Sequence, residues 1–361
     1  MAGALLQMLP VIAGAPVPRV QLFGWILHPS LSAGALLLGT GLLYSHPPLL
    51  LAGALLAALG FSALLLAILL ALYRRRGSGQ HIRGIWLAAF SLGITVLFGV
   101  LLALTLSGWL HLSNLLIWVN LHLAWGFLGW VGLLIAGIAF QLVPLFYVTP
   151  DYPAWLTRSL GPVILFALSF GTLFTLAQQP VAARIAFGIA MAAWAIFGFI
   201  TLYLQHRRKR QRMDPTLLHW WAALICALGA GLLWSLEEPP VVLGILLLFG
   251  LATGLSAGML FKIIPFLTWF HLQSRQLRMG RLRIRVPNMR TLLPEKWAYL
   301  QVAVHLAALT SLLLAWAMPV WIPLAALLLG LAALILLALL LRSLWYFRQV
   351  AAQIPAAPEQ A

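Results

Sequence analysis

The chain has 361 residues, of which 63% are apolar and only 8% carry a formal charge. Soluble domains hold about 25% charged residues, and the apolar runs here repeatedly exceed the roughly 18 residues that mark a bilayer span. The water-soluble classes are therefore excluded. An excess of 22 Lys+Arg over 6 Asp+Glu would suggest nucleic acid as the partner of a soluble protein. Its placement between apolar runs makes the lipid bilayer the partner instead, with no nucleic acid. The one cysteine, Cys226, lies inside an apolar run, so neither a disulfide framework nor a cysteine metal site is available.

In chain order, hydropathy predicts spans at about 21–44, 49–73, 84–108, 117–147, 159–178, 181–205, 216–236, 240–271, 297–317 and 320–346. These are ten full helices of an all-α polytopic bundle. A fragment of a further helix precedes them at 1–20, as expected either of a chain whose start lies earlier or of one that is naturally shortened. Four connections are short turns with Pro or polar residues: SHPP, QQP, EEPP and MP. Three others are basic: RRRGSGQHIR at 74–83, HRRKRQRMD at 206–214 and the Arg-rich stretch 273–296. If the helices alternate in direction, these share a side with Arg19, Arg158, Arg342 and Arg348. The excess of Lys and Arg predicts that this side is cytoplasmic in a bacterial inner membrane, with both termini there.

Three segments share a spelling that composition does not require: GALLQMLPVIAG at 3–14, GIAFQLVPLF at 137–146 and GMLFKIIPFL at 258–267. Each has Gly, a large apolar residue three on, then Gln or Lys, then Pro three beyond. Three spans separate consecutive copies, so the unit is four helices long. The single membrane domain then divides into a repeat remnant at 1–20, repeats at about 21–147 and 159–271, final helices at 297–346 and a cytoplasmic tail at 347–361. Parallel repeats in a membrane bundle surround an axis along the bilayer normal, and function sits at their interface.

Ionisable residues inside a membrane cost about 2.5–3.5 kcal/mol at a helix centre on insertion scales, which makes them pointers to function. At roughly 1.5 Å of rise per residue, His28, Gln141, Lys262 and His305 fall in the inner third of their helices and His122 in the outer third. His219 and His271 come near the cytoplasmic interface. Lys262 follows Gly250, Gly254 and Gly258, a small-residue stripe that admits a close neighbour; its stem reaches the headgroups or its ammonium holds an anion. A turn of about 100° per residue puts His122, Gly126, Gly129, Gly137 and Phe140 on one face beside Trp125 and Trp130. That face suits either an axial histidine above a flat macrocycle or close helix packing with one polar bond.

At this helix the chain resembles catalytic subunit I of the heme-copper oxidase superfamily, most closely the C-type oxidases and nitric oxide reductases, and it is similar to NnrS-like proteins and to bacterial membrane proteins labelled permeases. The matching positions are His122, Gly126, Gly129, Trp130, Gly132, Gly137, Phe140, Leu142, Val143 and Pro144. Segments 1–20, 117–153 and 250–272 carry the likeness. The resemblance implies a truncated form of the twelve-helix subunit I fold, heme as cofactor and His122 as its axial ligand. His28 or His305 would be a second ligand and Lys262 the counter-ion of a propionate. The second histidine of the family's pair falls on Ala124, and no His-His pair or His four residues before a Tyr exists, so dioxygen reduction is not expected, which leans against an enzyme and leaves that question open. The leading expectation is a non-oxidase, heme- or metal-binding relative in respiratory or nitric oxide-linked metabolism, with respiratory-chain or assembly partners. The first alternative is a permease for a small anion or metal ion, built on Gln141 and Lys262. The second is a scaffold in which Gly126, Gly129, Gly250, Gly254 and Gly258 serve helix packing.

Overall fold

The computed structural model describes residues 2–73, 80–237, 239–279 and 286–354, and among them the only regular structure is helical. After a short α1 (Ala2–Ile12) come α2 (Val20–Leu43), α3 (Pro47–Tyr73), α4 (Gln80–Leu106), α5 (Leu115–Tyr147), α6 (Ala154–Leu176) and α7 (Pro180–His206). Then follow α8 (Pro215–Ser235), α9 (Pro240–Arg278), the single-turn α10 (Met289–Leu292), α11 (Glu295–Ala317) and α12 (Ile322–Gln353). Ten of these are long and apolar enough to cross a membrane, in agreement with the hydropathy reading. Of the basic connections, residues 74–79 and 280–285 lie outside the described residues.

Local chemistry sets the boundaries. Pro47, Pro180, Pro215 and Pro240 open their helices, where the missing N–H is no loss and the fixed φ already suits the first turn. Asp214 caps α8 by accepting the Leu217 N–H at 3.0 Å. Two helices depart from α geometry, α5 over Trp125–Gly132 and α9 over Ile245–Thr253, where the hydrogen bonds widen to a π pattern.

Two compact units are formed, one through Arg210 and one from Gln211. In the first, α5 is the most enclosed helix, with 56% of its span buried against 22% for α2. In the second, α8 is half buried and α12 only 17%, so α8 is central and α12 peripheral.

Inside each unit the same crossings recur at fixed sequence offsets. A Cβ on Gly84 of α4 would lie 2.8 Å from Gly137 of α5, and one on Gly129 would lie 2.8 Å from Ser91 and 3.3 Å from Leu168 of α6. In the second unit a Cβ on Gly258 of α9 would meet His219 of α8 at 2.4 Å, and one on Gly250 would meet Cys226 at 2.6 Å and Leu309 of α11 at 3.7 Å. Gly129 and Gly137 precede Gly250 and Gly258 by 121 positions, Gly84 and Ser91 precede His219 and Cys226 by 135, and Leu168 precedes Leu309 by 141. The shift of 121 also lays the π segment of α5 on that of α9.

Candidate functional site

In the second unit the stripe Gly250, Gly254, Gly258 is met along its length by α8 and α11. Without side chains on α9, the ring of His219 and the sulfur of Cys226 lie directly on its backbone. His219 is 1% exposed and His305, across from it on α11, is 2% exposed. Their ring centroids are 5.1 Å apart, edge to face, and His305 also stacks on Phe249 of the π segment at 4.2 Å.

His219 Nε2 donates to Gln301 Oε1 at 2.9 Å, and the Gln301 amide nitrogen donates to the Ala332 carbonyl of α12 at 3.5 Å. That second bond orients the amide, so the oxygen faces His219 and the imidazole proton is held on Nε2. Nδ1 is therefore a bare lone pair, and it is buried with no hydrogen-bond partner. A Cβ on Gly254 would stand 3.0 Å from His305 Nε2 and 3.8 Å from His219 Nδ1. Both nitrogens thus converge on the notch at Gly254.

On the same helix, Lys262 forms an ion pair with Asp214 at 2.8 Å, the two side chains being 24% and 10% exposed. Asp214 thereby both caps α8 and neutralises Lys262. Next to it, Tyr299 donates to the Met213 carbonyl at 2.9 Å and Arg212 pairs with Glu295. Thr216 ties α8 to the Gly258 carbonyl at 2.9 Å.

At the corresponding crossing of the first unit, where Arg83 and Thr157 also line the space, the residues that match the trio are apolar. At the offsets given above, His219, Gln301 and His305 fall on Gly84, Leu160 and Ile164. There a recess of about 20 Å³ opens between Gly84, Gly137, Phe140, Leu160 and Gly161, room for about one water-sized molecule. The helix crossing itself is thus compatible with apolar side chains, and the polar trio of the second unit is not a packing necessity.

His122 belongs to the first unit, on α5, and faces α4. Its Nδ1 is 3.0 Å from the Thr95 carbonyl; a carbonyl only accepts, so Nδ1 carries the proton and Nε2 the lone pair. The predicted face is real, but its neighbour is a helix: Gly99 and Thr95 meet His122, Thr95 meets Gly126, Ser91 meets Gly129 and Gly84 meets Gly137. A flat macrocycle has no room on that glycine face, and His122 itself is only partly exposed. His28 is exposed on α2. Gln141 is partly buried, and its Oε1 is buried with no hydrogen-bond partner. Among the described residues no three His, Cys, Asp or Glu side chains converge as a metal cluster.

Of the predicted site residues, His305, Lys262, Gly254 and Gly258 share the second unit's polar layer with His219, Gln301 and Asp214, which sequence reasoning did not place there. For Asp214 a signal existed: Asp-Pro-Thr before an apolar run is a helix start, not a loop. Comparison with family models, with curated proteins and with solved structures gives no match.

Proposed function

We propose that this multi-pass membrane protein is a permease for a small metal cation, and that α8, α9 and α11 carry its binding layer. The observation that supports this reading is the buried His219–Gln301–His305 trio, set where the matching crossing of the same chain uses Gly, Leu and Ile. Polar groups inside a bundle are expensive, so a set that the crossing does not need argues for a bound substrate. A cation suits the layer better than an anion, because the ammonium that would attract an anion is already matched by Asp214. In this reading the two units descend from one four-helix repeat, which the shared offsets favour. The basic connections face the cytoplasm of a bacterial inner membrane, and both termini lie on that side.

The test is uptake of metal cations by the full-length protein in proteoliposomes. Accumulation above protein-free vesicles, reduced by His219→Leu, supports the proposal; uptake equal to that of empty vesicles refutes it.

A second reading, heme binding by a non-oxidase relative of heme-copper subunit I, is favoured by His122 alone. Its N–H is fixed on a backbone carbonyl and its Nε2 lone pair is left available, the arrangement that ligating histidines adopt. Heme would supply redox or gas-binding chemistry there, held by Nε2 at the edge of the unit. A Soret band that disappears with His122→Ala would support it, and its absence from protein made in heme-replete cells would refute it.

A further inference from the structure

We infer that His219 Nδ1 and His305 Nε2 form a two-nitrogen site for a soft monovalent d10 cation, Cu(I) or its analogue Ag(I), seated beside Gly254. The inference rests on the permease reading and names its substrate class.

Four observations carry it. The two nitrogens face one notch from different helices, 3.8 Å and 3.0 Å from the point where a Gly254 side chain would begin. His219 Nδ1 is a lone pair with no hydrogen-bond partner in a side chain that is 1% exposed. Its opposite nitrogen is held by Gln301, which is itself held by Ala332; this is the outer support that fixes the tautomer of a metal ligand. The matching residues of the first unit are Gly84, Leu160 and Ile164, so the polar groups answer to something other than helix contact.

The donor set selects the ion. Two neutral imidazoles bring no charge, and among the described residues no third His, Cys, Asp or Glu completes a cluster. A divalent ion that wants four ligands, as zinc does, would be left short of both donors and counter-charge. A singly charged d10 ion accepts two nitrogens, and imidazole is a good donor to copper. Such an ion needs each nitrogen at about 2.0 Å, which the rings reach by swinging toward each other over Gly254, where no side chain intervenes. His305 then carries its proton on Nδ1. The Phe249 carbonyl oxygen faces the same notch, 3.5 Å from the point where a Gly254 side chain would begin, so the ion competes with it for His305 Nε2. No electron is transferred: the ion enters and leaves as Cu(I).

The experiment uses full-length protein in detergent, without oxygen, with Cu(I) delivered from a coloured Cu(I) chelator. One equivalent should leave the chelator, and X-ray absorption should give a copper with nitrogen scatterers alone at about 2.0 Å. His219→Leu and His305→Leu should each abolish this binding. Gln301→Leu, which leaves both ligands in place, should weaken it about 10- to 100-fold, as loss of an outer support does. Wild-type protein that takes no Cu(I), or copper bound through sulfur, overturns the site. So does binding that persists in both histidine variants; if either variant fails to fold, the wild-type absorption spectrum and Gln301→Leu decide. Cation uptake without this copper signature would remove the site and leave the permease reading standing. Two-nitrogen binding without uptake would do the reverse.

Discussion

Removing one partner of the Lys262–Asp214 pair should cost more than removing both. The side chains are 24% and 10% exposed, between two known limits. Exposed pairs contribute about 0–1 kcal/mol, whereas breaking a buried pair costs about 3–5 kcal/mol because a charge is stranded. A coupling of about 2 kcal/mol is the interpolated expectation. Lys262→Met leaves the carboxylate with the Leu217 N–H and no cation. Asp214→Asn retains a good helix cap but leaves the ammonium without its carboxylate. In the double variant the cap survives and neither charge remains, so it should be more stable than the sum of the single effects by about 2 kcal/mol. The assay is reversible unfolding in mixed micelles of graded denaturing detergent, run on all four proteins. A coupling under about 0.5 kcal/mol, the usual scatter of additivity, would refute the claim that Asp214 neutralises this lysine.

Other outcomes follow from the same contacts. Gly258→Ala sets a methyl 2.4 Å from His219 Cβ and should destabilise by about 1–3 kcal/mol through overpacking. Gly188→Ala, where nothing stands within 4 Å, should be neutral or stabilising through helix propensity; the two melting shifts in detergent check this. Tyr152, in the turn between α5 and α6, is buried with its hydroxyl on Thr201 at 3.0 Å. Burial raises its phenol above the usual value, only partly offset by the bond to Thr201. The folded state thus prefers the neutral phenol: the stability tied to it is complete below about pH 10 and declines as pH rises above that. Tyr152→Phe should flatten that alkaline decline in a pH series of melts and cost about 1 kcal/mol near neutrality for the lost hydrogen bond. His122→Ala should remove the Thr95 contact at a similar cost while leaving Cu(I) stoichiometry unchanged, as checked by chelator competition.

The spans were legible because burial in lipid demands long apolar runs, and Gly250, Gly254 and Gly258 were legible as a place of close approach because their spacing keeps them on one face. The identity of the neighbour was not. A wheel gives the face on which His305 or His122 lies, but not which helix covers it. The wheel therefore points His122 toward a cofactor, whereas the face it shares with Gly126 and Gly129 meets α4. Depth alone puts His219 near the cytoplasmic interface, and only the fold sets it against Gly258 and Gln301. The likeness of the two crossings was visible through Gly137 and Gly258. Its partner helices share so little spelling, Gly84 against His219 and Ile164 against His305, that only contacts could align them.

The widened turns over Trp125–Gly132 and Ile245–Thr253 act as phase shifters. A π turn takes up an additional residue, and each residue is worth about 100° of rotation, so everything downstream is re-aimed relative to a straight helix. Gly254, Gly258 and Lys262 all come after the second of these. Closing that stretch to α geometry with all its residues kept would swing the smooth stripe away from His219 and carry the ammonium off its carboxylate, without altering any of those side chains.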